Sequence, residues 1–85
     1  MNIEVLEIKK VSNAGKLRAF AKLKLGEIIC CDFRVIQQEG QKAWVSVPQL
    51  GWTGTDGKVR YKNMVELPEK LKSEVFKAIL AAWNN

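Results

Sequence analysis

The chain has 85 residues, of which 47% are hydrophobic, 8% aromatic and 27% charged, with 14 Lys and Arg against 9 Asp and Glu for a net charge of +5. That length fits one small domain over residues 1–85 and excludes a two-domain enzyme. No apolar run comes near the roughly 18 residues of a membrane span.

In chain order, Ile3 to Val11 reads as a first strand. Ile3 and Val5 fall on one face and Leu6 and Ile8 on the other, so the strand is either bulged near Val5 or buried on both faces. Ser12, Asn13, Ala14 and Gly15 form a turn signal, with Gly15 suited to positive φ. The cleanest alternation follows: Leu17, Ala19, Ala21, Leu23 and Leu25 face one way, Lys16, Arg18, Phe20, Lys22 and Lys24 the other. This predicts a strand with one buried and one wet face. Gly26 marks a turn into a third strand over Glu27 to Ile36. Strict alternation there lines Ile29, Cys31, Phe33 and Val35 on one face, with Ile28 and Cys30 opposite. Apolar residues on both faces predict a central strand.

Gly40 marks the next loop, and Ala43, Val45 and Val47 alternate with Trp44 and Ser46 in a fourth strand ended by Pro48. Gln49 to Gly57 reads as the longest loop, and its last three residues, Thr55, Asp56 and Gly57, turn the chain into a fifth strand from Lys58 to about Val65. Pro68 suits a first helical turn and Glu69 complements the helix dipole. From there to Trp83 the period is helical. Leu71, Val75, Ala78, Ile79 and Ala82 make one stripe, and Phe76, Leu80 and Trp83 a second beside it. Together they span about 200°, twice the arc of a one-sided surface helix. The expected fold is therefore α+β, an antiparallel sheet of about five strands followed by one C-terminal helix. The second stripe is the expected homodimer interface, since two-fold dimers dominate small oligomers.

Candidate chemistry is narrow. Histidine is absent, which removes the commonest general base and metal ligand. No nucleophile elbow, dinucleotide fingerprint or Walker sequence is present. The chain thus reads as a non-enzyme with no cofactor, metal or small-molecule substrate. Cys30 and Cys31 are adjacent, so on a strand they point to opposite faces and neither bridge nor chelate together. They read as reduced core thiols in a reducing compartment, and the first residues carry no basic-then-apolar signal pattern, so the expected location is cytoplasmic.

The basic excess points to a polyanion, most often nucleic acid. Lys16, Arg18, Lys22 and Lys24 flank Phe20 at alternate positions, a row that could neutralise phosphates while Phe20 stacks on a base. The same pattern also serves an ordinary solvated strand face. A second row, Lys58, Arg60 and Lys62, follows the glycine-rich stretch around Trp52, which reads either as a stacking platform or as a lid on the core. Lys70 lies on the polar side of the helix, where it could touch phosphate.

At Asp32-Phe33-Arg34-Val35-Ile36 the sequence resembles the SpoVG family (stage V sporulation protein G, also called septation protein). The matching order runs Lys16-Leu17-Arg18-Ala19, Phe33-Arg34-Val35-Ile36, Trp44-Val45, Val47-Pro48, Asp56-Gly57-Lys58 and Leu67-Pro68, then a helix with Val75, Ile79, Leu80 and Trp83. The resemblance covers nearly the whole chain through an ordered set of short matches. It implies a small α+β protein that dimerises and binds DNA, and in several members RNA, as a regulator of gene expression. The family carries a basic pair soon after the proline matching Pro48; here those places read Gln49-Leu50-Gly51-Trp52. The remaining candidate contacts in the matched stretches are Arg34, Lys58 and Arg60, with Arg34 alternatively an ion-pair partner of Asp32 or another acid. The other reading of the chain is a protein-interaction module that uses the apolar helix face and the tryptophans.

Overall fold

The alternating stretch becomes the strand around which the rest assembles. A computed structural model describes residues Met1–Asn85 as six strands and one helix: β1 Ile3–Lys10, β2 Leu17–Leu25, β3 Ile28–Ile36, β4 Trp44–Ser46, β5 Gln49–Thr53, β6 Val59–Asn63 and α1 Glu69–Asn84. The first four form an antiparallel sheet in the order β1-β2-β3-β4, and β5 and β6 form a separate two-stranded ribbon. The fold is α+β, as the sequence predicts, but it has six strands in two sheets rather than about five in one.

One face of the sheet is apolar and carries the helix. Ala19, Ala21, Leu23 and Leu25 of β2, Phe33 and Val35 of β3, Val45 and Val47 at β4, and Val75 and Ile79 of α1 are the buried core. Helix α1 lies over β1, β3 and β4. Pro68 stands at the N-cap, one position ahead of the expected first turn, and its carbonyl accepts the Lys72 N–H at 2.8 Å. Phe76, Leu80 and Trp83, the expected dimer stripe, are half-buried against the chain's own core. The strands give α1 a wider seat than a single contact line, which absorbs much of its broad apolar arc.

Bulges decide which side chains reach that core. Val5 pairs with Leu23 and Glu7 with Lys22, so Leu6 is the extra residue that returns Ile8 to the core side, as expected near Val5. A second irregularity lies in β3, where Phe33 pairs with Ala21 but Cys30 with Leu23. The two residues between, Cys31 and Asp32, oppose Lys22 alone, and Asp32 adopts φ 66, a left-handed conformation that Asp tolerates better than most residues. This bulge overturns the strict alternation expected for β3. Cys30 packs on the core, whereas Ile29 and Cys31 are exposed. Only one of the two thiols is therefore a core thiol.

The turn before β2 has Asn13 at φ 58 and Gly15 at φ 65, in keeping with its Asn and Gly content. The stretch after Pro48 departs from its expected loop. Gln49 to Thr53 is a strand, in register with β6 from Gln49 opposite Asn63 to Thr53 opposite Val59. A Cβ on Gly51 would lie 2.9 Å from Cε1 of Tyr61, so the Tyr61 ring covers the cross-strand glycine. Glycine-rich composition hides the strand because the stabilising partner is a side chain ten residues away. The ribbon projects from the body and makes almost no contact with the sheet or helix. The radius of gyration is accordingly 13.7 Å, against roughly 12 Å for a rounded chain of this length.

Candidate nucleic-acid interface

The expected cationic row on β2 is broken up by its neighbours. Lys24 lies opposite Glu4 and Lys22 opposite Glu7, so β1 sets carboxylates beside both lysines. Such cross-strand pairs stabilise a sheet by about 0.2–1 kcal/mol and reduce its net charge. Arg18 is half-buried and donates from Nε to the Gln37 carbonyl at 3.1 Å. Lys16 is exposed just ahead of β2. The row on its own is closer to an ordinary solvated strand face than to a phosphate track.

Phe20 has a different setting. Across the strands it pairs with Lys9 on β1 and Arg34 on β3, and Arg34 pairs onward with Ser46 on β4. A half-buried aromatic thus has a cation at one strand spacing, about 4.8 Å, on either side. The sequence does not single out Lys9, because only the register set by the β1 bulge brings it beside Phe20. Arg34 forms no ion pair with Asp32 or any other acid, the molecule's one ion pair being Arg60 with Asp56. Its Nε is sealed from solvent with no hydrogen-bond partner. A half-buried guanidinium without a counter-charge is unusual, since buried polar groups ordinarily find partners.

Arg34 lines a groove of about 650 Å³ between the open face of the sheet and the base of the ribbon. Phe20, Ile29 and Cys31 line it from the sheet, and Leu50 and Met64 from the ribbon. A smaller hollow beside it, about 410 Å³, includes Lys9, Phe20, Lys22 and Cys31 along with Glu7 and Asp32. The ribbon extends the larger groove outward. Leu50 pairs with Lys62 and Trp52 with Arg60, so all four share one ribbon face. Trp52 is 44% exposed and is not a lid on the core. The opposite ribbon face carries Val59 and Tyr61, also exposed.

Asp56 organises the ribbon tip. Its Oδ1 accepts the Lys58 backbone N–H at 3.1 Å, and its Oδ2 accepts from Arg60 Nη2 at 2.6 Å. This ties the Arg60 guanidinium to the tip, with Arg60 opposite Trp52 in register, while Lys58 and Lys62 stay unpaired. Lys70 is exposed on α1, and no helix residue lines the groove, so the fold does not bring Lys70 to Phe20 or Arg34.

Burial, and after it the neighbouring Cys31, pushes the Cys30 thiol above its ordinary value. The exposed Cys31 is the more accessible nucleophile of the two. No three Cys, Asp or Glu side chains converge in a way that could hold a metal ion. No helix is long and apolar enough to cross a membrane. No family model matches the chain, and a comparison with curated proteins finds no match.

Proposed function

We propose that the chain is a small dimeric nucleic-acid-binding regulator of gene expression, of the SpoVG type that its ordered motifs resemble, acting in the cytoplasm and without a catalytic step. The observation that carries this reading is the ribbon face on which Trp52 pairs with Arg60 and Leu50 with Lys62, continuous with the groove that holds Arg34. Alternating aromatic and cationic groups are what a polyphosphate strand with exposed bases needs: rings for stacking and cations for counterion release. The ribbon supplies cations at the positions after Pro48 by a different route from the family's basic pair, through the returning strand β6.

The dimer rests on a stability argument. A two-stranded ribbon alone is marginal in water, and this one carries Val59 and Tyr61 exposed on the face turned from Leu50 and Trp52. A second copy covering that face would leave the cationic face free. This relocates the surplus apolar surface from Phe76, Leu80 and Trp83 to the ribbon.

Titration against random DNA and RNA at low salt tests the reading, with binding expected below about 10 µM and falling steeply as salt rises. No binding at that concentration removes it. The exposed aromatics equally favour a protein-interaction module. Reversing Lys58, Arg60 and Lys62 to Glu separates the two: loss of nucleic-acid binding with the dimer intact favours the regulator, and an unchanged phenotype favours the module.

A further inference from the structure

We infer that the groove between the sheet and the ribbon receives an unstacked base of single-stranded RNA, with Phe20 as its stacking ring and Arg34 and Lys9 as its phosphate contacts. The inference rests on the nucleic-acid reading above and adds the form of nucleic acid and the subsite. Three observations carry it. First, the groove has an apolar floor and wall, from Phe20, Ile29, Leu50 and Met64, and at about 650 Å³ it falls within the roughly 300–1,000 Å³ of sites that take a drug-sized ligand. A base with its sugar is of that size, whereas a duplex is far wider and keeps its base faces stacked. Second, the cations stand on both sides of the ring, Lys9 and Arg34 each one strand from Phe20. That spacing suits a backbone running across the strands over a stacked base. Third, Arg34 forms no ion pair within the protein, so the charge of its half-buried guanidinium is left for an external anion.

The occupant is assigned as RNA because Asp32 also lines the groove, and its carboxylate accepts no hydrogen bond from the protein. An acceptor without a protein donor is open to a ligand hydroxyl, and the ribose 2′-hydroxyl is a donor that DNA lacks. Unpaired bases in loops and ends are also the ordinary target of proteins that read RNA by stacking.

Cys31 provides a test that needs no substitution, because it is exposed and lines the same groove. The intact protein is treated with iodoacetamide alone, with an unstructured uridine-rich RNA of about 12 nucleotides, with the matching DNA strand, and with the RNA duplex. Mass spectrometry follows the Cys31 adduct, and anisotropy measures affinity in parallel. The RNA strand is expected to slow Cys31 alkylation several-fold, the duplex to leave it unchanged, and the DNA strand to bind more weakly than the RNA. Phe20→Leu should weaken RNA binding about 5-fold or more, as loss of one stacked base does, with an unchanged urea melt. Equal or tighter binding of duplex or single-stranded DNA overturns the inference. So does an unprotected Cys31 in the RNA complex, or protection of Cys31 by raised protein concentration alone, which would mean that a second copy fills the groove. If the Lys58, Arg60 and Lys62 reversal still abolishes binding in those cases, the nucleic-acid reading stands and only the groove falls. Absence of binding to every nucleic acid removes both.

Discussion

The helix-backed sheet and the β5–β6 ribbon are built from similar residues and end in opposite states. In the sheet, ten apolar residues from strands and helix are removed from water. In the ribbon no residue is buried, and Trp52, Val59 and Tyr61 stay exposed although each is a good strand former. The difference is the second layer. The sheet has a helix across one face, whereas the ribbon has only its own partner strand. Stability is therefore concentrated in one region, and the unsatisfied aromatic and cationic groups in the other. Low local stability and exposed chemistry are the usual marks of a binding element.

Removing one core ring is the strongest way to test that division. Phe33 is fully buried, and Phe33→Ala should cost about 3–5 kcal/mol in a urea melt. That is a large part of the roughly 4–13 kcal/mol available to a domain of this size. Trp52→Ala, of comparable bulk, should stay within about 0.5 kcal/mol in the protomer. A large loss at Trp52 would mean that the Trp52 face of the ribbon is covered in solution, which a melt at several protein concentrations would reveal.

The charge reversal at Lys58, Arg60 and Lys62 should act the other way. Nucleic-acid affinity is expected to fall about 100-fold or more and the salt slope to shrink by about 2 to 3, one increment per lost phosphate contact. The thermal midpoint should hardly move, because all three side chains are exposed.

Smaller effects separate ribbon from sheet. Gly51→Ala forces the Tyr61 ring aside. Amide exchange in β5 and β6 should then accelerate while that of β2 and β3 is unchanged, with a global loss of about 1 kcal/mol or less. The smallest effect is expected at Asp56→Asn. It removes an ion pair between two exposed side chains, worth no more than about 1 kcal/mol. By freeing Arg60 it should raise nucleic-acid affinity slightly at low salt.

Much of the sheet is legible in the chain itself. The period of two marks the core face of β2 from Ala19 to Leu25 but not at Leu17, which a register shift before Ala19 leaves outside the core, and the poor alternation of the first strand marks the bulge at Leu6. The helical period after Pro68 marks α1, including the two residues it buries completely, Val75 and Ile79. The same reading fails at Cys31 and Ile29. A one-residue bulge inverts every side chain beyond it, and in β3, unlike β1, the local pattern does not mark it. It also fails at Gln49 to Thr53, where glycines argue for a loop and only the Tyr61 ring makes the strand tenable.

The candidate interface divides along the same line. Trp52, Arg60 and Lys62 stand out as an aromatic beside a basic row, and Arg34 stands out in its motif. Lys9, Leu50 and Met64 do not, because each acquires its position from a partner far away in sequence.

What the chain determines by itself is local: strand and helix periods, the turns with Gly15 and Gly57, the net charge of +5 and the exclusion of histidine chemistry. Tertiary structure alone decides which carboxylates face Lys22 and Lys24, that Arg34 has none, and that the ribbon stands apart from the sheet. Periodicity is a property of neighbouring residues, whereas register and burial are set by packing between elements, where a shift of one residue exchanges inside for outside.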